Sequence, residues 1–220
     1  MSLFTNRVEA GQKLAVVLKN ADKNAIVLAI PRGGVVVGYE VAQSLQVPLD
    51  VIITRKIGAP GNPELAIGAV AEDGTYILDN SLVEMLGVPQ EYIEAEVELQ
   101  KTEIRRRLQK YRGNAPTPRL AGREVIVVDD GVATGSTLKA ALLSLTKVGA
   151  KSVTVAIPVG PSDTVKELKR HADHVVCLHT PEPFYAIGEF YADFDQTTDE
   201  EVTELLAKNR QNLRGKEDTQ

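Results

Sequence analysis

Apolar positions along the chain follow two rhythms. Short unbroken runs at Ala25–Ile30, Asp50–Thr54, Glu124–Asp129, Ser152–Pro158 and Asp173–Leu178 predict strands buried on both faces. Between them, apolar residues recur at helical spacing. Val8–Leu18 carries them at 8, 14, 15, 17 and 18, and Pro89–Arg112 at 93, 97, 104, 108 and 111, so each set lies on one helical face. Further helices are predicted over Val35–Leu45, Ser136–Val148, Ser162–His171 and Glu200–Leu213. Two stretches break the rhythm. Arg55–Glu64 reads RKIGAPGNPE, whose Gly/Pro clusters predict an irregular loop, and Asn114–Pro118 is a Pro-rich break. Leu65–Val70 and Thr75–Leu78 read as a hairpin around Glu72-Asp73-Gly74.

Strands alternating with helices predict an α/β fold, a parallel sheet covered on both sides. No repeat or long linker divides the chain, so residues 1–220 are expected to form a single domain. Its core covers about residues 21–180, a small hood is built from the terminal segments (about 1–20 and 181–213), and 214–220 fray.

Composition narrows the function classes. At 43% hydrophobic and 25% charged the chain is built to fold. No apolar run approaches the ~18 residues of a membrane span, so no membrane partner is expected. Met1–Lys13 lacks a basic stretch followed by an apolar one, so no secretory leader is expected. Cys177 is the lone cysteine and has no internal partner, which fits a reducing, cytoplasmic setting. The net charge of −5 argues against broad nucleic-acid binding.

The candidate chemistry lies in Val125–Thr137, VIVVDDGVATGST. A buried strand ends in Asp129 and Asp130, and a loop of small residues then opens a helix. Gly131, Val132, Ala133 and Gly135 let a ligand approach the backbone, and Thr134, Ser136 and Thr137 add hydroxyls. Amides at a helix start favour a phosphate. Two acids would repel that phosphate, but they suit a sugar diol or a magnesium ion. An acid pair in this position can also do no more than cap the loop. A second strand-to-helix turn, Pro31-Arg32-Gly33-Gly34, opens at the same sheet edge. Arg32 can neutralise a phosphate oxygen there, and Gly33 and Gly34 expose their amides. The expected ligand carries anions at both ends of a diol. No Walker A, dinucleotide or nucleophile-elbow motif competes for this assignment.

VIVVDDGVATGST resembles the signature by which type I phosphoribosyltransferases bind phosphoribosyl pyrophosphate (PRPP), and PRGG resembles their pyrophosphate loop. Arg55-Lys56 before a Gly/Pro-rich run resembles their mobile catalytic loop, and the likeness covers roughly residues 25 to 180. A tail reading FYAIGEFYADFDQTTDEEV is similar to that of uncharacterised members. The resemblance implies a twisted, Rossmann-like parallel sheet and a role in nucleotide salvage. It implies that Asp129 and Asp130 hold the ribose hydroxyls and that the Gly131–Thr137 loop holds the 5-phosphate. Arg32, Gly33 and Gly34 would meet the pyrophosphate, next to a strained or cis peptide. Mg²⁺ would bridge ligand oxygens beside the acid pair, and Arg55 or Lys56 would screen the leaving group. The acceptor, a nitrogenous base or amine, would meet the hood, where Phe184, Tyr185 and Tyr191 are the named candidates beside Phe190 and Phe194. A homodimer is implied as well.

Other features carry less. His171, His174, Cys177 and His179 lack a zinc spacing, and no zinc is expected. Arg105-Arg106-Arg107 with Lys110 and Arg112 ends a helix that begins acidic, the favourable order for its dipole, and reads as a solvated or dimer-facing surface. Competing functions are a PRPP-sensing regulator without base transfer and a small phosphatase or PRPP hydrolase.

Overall fold

The computed structural model of the protein describes residues 2–217. Met1 and residues 218–220, the ends of the predicted hood and frayed tail, lie outside the described residues. Five strands form one parallel sheet: β1 (Ile26–Ala29), β2 (Leu49–Val51), β6 (Glu124–Val128), β7 (Ser152–Val159) and β8 (His174–His179), in the order β2-β1-β6-β7-β8. Side chains alternate between the faces. Val27, Ala29, Ile126, Val128 and Ala156 pack one way, and Ile26, Leu28, Val125, Val127, Val155 and Ile157 the other.

Helices cover both faces. The first set of side chains meets α1 (Arg7–Val17), α2 (Gly33–Leu45), α4 (Gln90–Arg112) and α7 (Asp199–Glu217), and the second meets α5 (Ser136–Leu145) and α6 (Ser162–Leu168). In α4 the buried residues are Ile93, Val97, Ile104, Leu108 and Tyr111, the stripe its periodicity predicts. The charged α7 seals the sheet edge with a polar group. Buried Asn209 accepts from the Leu49 amide at 2.9 Å and donates to the Val47 carbonyl at 3.2 Å.

Three details differ from the pattern-based expectation. Arg55–Glu64 is a hairpin and not an irregular loop: β3 (Thr54–Ala59) pairs antiparallel with β4 (Asn62–Ala71), which pairs with β5 (Tyr76–Leu78). Register shifts on either side of Gly58 absorb the Gly/Pro cluster as a bulge, so it bends the ladder without ending it. The strand predicted to reach Thr54 stops at Val51, and Thr54 instead opens β3. A short helix, α3 (Asn80–Leu86), buries none of its residues, so no apolar stripe marked it.

The terminal segments meet each other. The Leu3 and Phe4 amides donate to the Phe190 carbonyl, and the Ala192 and Asp193 amides donate to the carbonyls of Phe4 and Thr5. Phe4, Phe190 and Tyr191 form a small apolar cluster with Val159, above the end of β7.

Candidate active site

Two loops leave the sheet side by side because their strands are neighbours. Leu28 and Ala29 of β1 pair with Val127 and Val128 of β6, and the Ile30 amide still donates to the Val128 carbonyl at 2.8 Å. One chain then turns through Pro31–Gly34, with a cis peptide between Pro31 and Arg32. The other turns through Asp129–Gly135. The loops are in contact, and glycine makes the contact possible. A Cβ on Gly33 would stand 2.0 Å from Asp130 Oδ2, and one on Gly34 2.9 Å from the Asp129 Cα.

The acid pair is costly to ionise. Burial and the neighbouring Asp130 charge hold the Asp129 carboxyl well above the usual carboxylate range, although the Asp130 amide donates to Asp129 Oδ1 at 2.9 Å. Burial also raises Asp130, against a hydrogen bond from Arg7 that lowers it. Groups so destabilised when charged are suited to accepting hydroxyl protons or to lying beside a cation.

The rest of the loop leads into α5. Gly131, Val132 and Gly135 are buried, Ala133 and Thr134 are exposed, and Ser136 and Thr137 are half-buried. Gly135 takes φ 75° ahead of Ser136, and no side chain of the described residues caps the helix start, so the first amides are available to an anion. The Thr134 and Ser136 hydroxyls lie 3.3 Å apart.

The hairpin reaches the same edge. Thr54 of β3 donates to the Thr137 carbonyl at 3.2 Å, and Lys56, two residues on, shares its strand face and is exposed. Arg55 lies on the opposite face, where its Nε donates to Gln100 of α4 at 2.8 Å. Burial, followed by the charge of Arg107, lowers its pKa, yet a guanidinium stays protonated there. Arg32 is half-buried, 3.9 Å from Asp199 of α7, which also pairs with Lys110 at 2.8 Å and accepts from Tyr111 at 2.6 Å. Burial, aided by that bond, pushes the Tyr111 hydroxyl up to about 12.

The hood aromatics divide. Tyr191 is buried and donates to the Asp130 carbonyl at 2.6 Å, while Phe184 packs on Phe190 with ring centroids 4.9 Å apart. Tyr185 is 78% exposed. The predicted residues 32–34 and 129–137 thus share one edge, which Tyr191 joins through Asp130. Sequence patterning missed Arg7, whose Nε donates to Asp130 Oδ2 at 2.7 Å, and it missed Asp199. The one signal for Arg7 was a cation in the first turn of a helix, where the dipole disfavours it.

Elsewhere, Cys177 is half-buried, its thiol donates to the His179 carbonyl, and burial pushes it up to about 11. Among the described residues no three His, Cys, Asp or Glu side chains converge to hold a metal by themselves. A cavity of about 430 Å³ between β2 and α5, lined by Leu28, Ile52, Leu145 and Arg112, includes none of the residues at this edge.

Known proteins are similar to this chain in sequence and fold. The phosphoribosyl transferase domain model matches residues 5–195. Two curated relatives from Mycobacterium tuberculosis, provisionally named phosphoribosyl transferases, are each 44% identical over 207 residues, or 94% of this chain. The chain spans 47% of their length. The crystal structure of TT1426 from Thermus thermophilus is 42% identical, with a TM-score of 0.80 over 94% of this chain and 99% of that one. On the domain match and these relatives, the chain belongs to the phosphoribosyl transferase domain family.

Proposed function

We propose that the chain transfers the 5-phosphoribosyl group of PRPP to a nitrogenous acceptor, a purine- or pyrimidine-like base, and releases pyrophosphate. One observation carries this reading: the desolvated pair Asp129/Asp130 lies between an uncapped helix start and the Arg32-Gly33-Gly34 turn. That order matches a ligand with a phosphate, a diol and a second anion in sequence.

In this reading Asp129 and Asp130 accept from the ribose hydroxyls, and the amides of residues 131–137 hold the 5-phosphate. Arg32 and the Gly33 and Gly34 amides meet the pyrophosphate. As the bond from C1 to pyrophosphate lengthens, positive charge grows on the ribose ring and negative charge on the leaving group. Arg32 stabilises the second, and the acid pair, close to the sugar, favours the first. Lys56, exposed on the hairpin face next to Thr137, screens the leaving group and helps exclude water. Oxygen donors of this kind fit magnesium, which, bound together with PRPP, would neutralise pyrophosphate charge. Asp129 and Asp130 would meet it indirectly, through the bound PRPP. Cytoplasmic location, a salvage role and a homodimer belong to the same reading.

Thermal unfolding with and without PRPP plus Mg²⁺ tests it, in the wild type and in Asp129→Asn/Asp130→Asn. At a hundred times Kd the ligand adds ~2.7 kcal/mol, a rise of roughly 5–10 °C for a chain of this size. The shift is expected in the wild type and not in the variant. A folded wild type without a shift overturns the proposal. A shift without pyrophosphate release for any base or amine would instead define a PRPP-sensing protein.

A further inference from the structure

Among the described residues, Arg7 is the one basic side chain from the terminal segments that bonds the acid pair. It comes from the first turn of α1 and crosses 123 positions of sequence to donate from Nε to Asp130 Oδ2 at 2.7 Å. Both side chains are only 12% exposed. Three further contacts set the guanidinium. Its Nη1 donates to the Asp195 carbonyl at 2.7 Å, and its carbon lies 3.8 Å from the centre of the Phe194 ring. Gly33 completes the enclosure, since a Cβ there would stand 2.6 Å from Arg7 Nε and 2.0 Å from Asp130 Oδ2. A planar, doubly bonded, stacked guanidinium is a fixed donor.

We propose that Arg7 is a positioning residue of the ribose site, which holds the Asp130 side chain in one orientation as an acceptor for a sugar hydroxyl. The inference rests on the proposed phosphoribosyl site and adds to it the residue that makes the acid pair selective for ribose. The physical reason is geometric: a carboxyl held at Oδ2 by a guanidinium that is itself fixed at two points presents its other oxygen in one direction. Arg7 from α1 is the cation hydrogen-bonded to Asp130. The other groups against Asp130 are Asp129 at the end of β6, the Gly33 backbone of α2 and the Tyr191 hydroxyl, which bonds the Asp130 carbonyl and not its carboxylate. Asp195 contributes its carbonyl to Arg7.

The test compares ribose 5-phosphate with 2-deoxyribose 5-phosphate, which share the phosphate and differ at one hydroxyl. Binding is measured by calorimetry for the wild type, Arg7→Met and Arg7→Lys. The wild type is expected to favour ribose 5-phosphate about tenfold or more, in line with sites built to bond a hydroxyl. In Arg7→Met that preference falls to about one, while 2-deoxyribose 5-phosphate binds within about threefold of wild type. Arg7→Lys, which keeps the charge, recovers part of the preference. A merely structural Arg7 would weaken both ligands together and leave their ratio intact, and that result overturns the inference. Should Arg7→Met fail to unfold cooperatively, Phe194→Leu, which removes the ring against the guanidinium and keeps Arg7, Asp130 and Gly33, is expected to lower the preference in the same direction. A wild type that binds neither sugar phosphate defeats the phosphoribosyl reading itself and the inference with it. An unchanged preference in Arg7→Met defeats the inference alone.

Discussion

Asp130 is bonded through three of its groups: its amide donates to Asp129, its carbonyl accepts from Tyr191, and its carboxylate accepts from Arg7. The string VIVVDDGVATGST made the acid visible, because the acid pair, the small-residue loop and the hydroxyls together point to a ligand where the pair alone would not. Its partners were not visible as partners: Arg7 lies in a segment with no motif of its own, and the tail that holds Tyr191 gives no sign of which group it bonds. Tyr191 could be expected only as one aromatic of the hood; the structure buries it, and burial raises its hydroxyl pKa. Tyr191→Phe removes the hydroxyl and leaves the Asp130 carbonyl without that donor. The expected cost is about 1 kcal/mol, read as a fall in Tm of about 2–4 °C. An unchanged Tm would mean that water replaces the hydroxyl without loss.

At the scale of elements, periodicity found what was long and one-sided. The apolar runs became β1, β6, β7 and β8, and the stripe of α4 is the buried face of that helix. Short elements escaped because their signals were punctuation. Asp79 caps α3 by accepting from the Leu82 amide at 3.0 Å, and Gly87 ends it in a left-handed conformation, yet no stripe joined the two signs. The β3–β4 hairpin escaped for the opposite reason: Gly and Pro read as breakers, although a bulge can hold them inside a ladder. Helix α7 read as mostly charged, yet it buries Val202 and Leu206 in the core, and Asn209 adds a polar anchor to the sheet edge. Asn209→Ala would leave the buried Leu49 amide and Val47 carbonyl unpaired at the sheet edge. A loss of about 1–3 kcal/mol is expected in urea unfolding, with an unchanged m-value. A loss under a few tenths would show that the edge relaxes to water.

At the scale of the molecule, a few long-range ionic contacts join layers that apolar packing alone would leave free to slide. Arg112 at the end of α4 donates to both oxygens of buried Asp50 at 3.0 Å, and Asp199 ties α7 to Lys110, Tyr111 and Arg32. The bonds from Lys110 and then Tyr111 lower the Asp199 pKa. A carboxyl lowered on folding contributes stability above its unfolded value of about 3.9, and that contribution is lost as pH falls through the lower folded value. Asp199→Asn is therefore expected to unfold at a lower temperature than the wild type at pH 6, with the gap closing towards pH 2. A gap independent of pH would assign the effect to packing instead of charge.

The sequence by itself determined the sheet, most of its helices and the two loops expected to hold the ligand, because each is written in neighbouring residues. Strand burial appears as an apolar run, helix packing as a stripe, and the loop proposed to hold a phosphate as small residues at a strand's end. Only the tertiary structure decided which distant side chains close on the acid pair and on the Pro31–Gly34 turn. Arg7 meets Asp130 across 123 positions, and Asn209 meets Leu49 across 160. Contacts of that kind depend on the path of the whole chain, which local spacing does not encode.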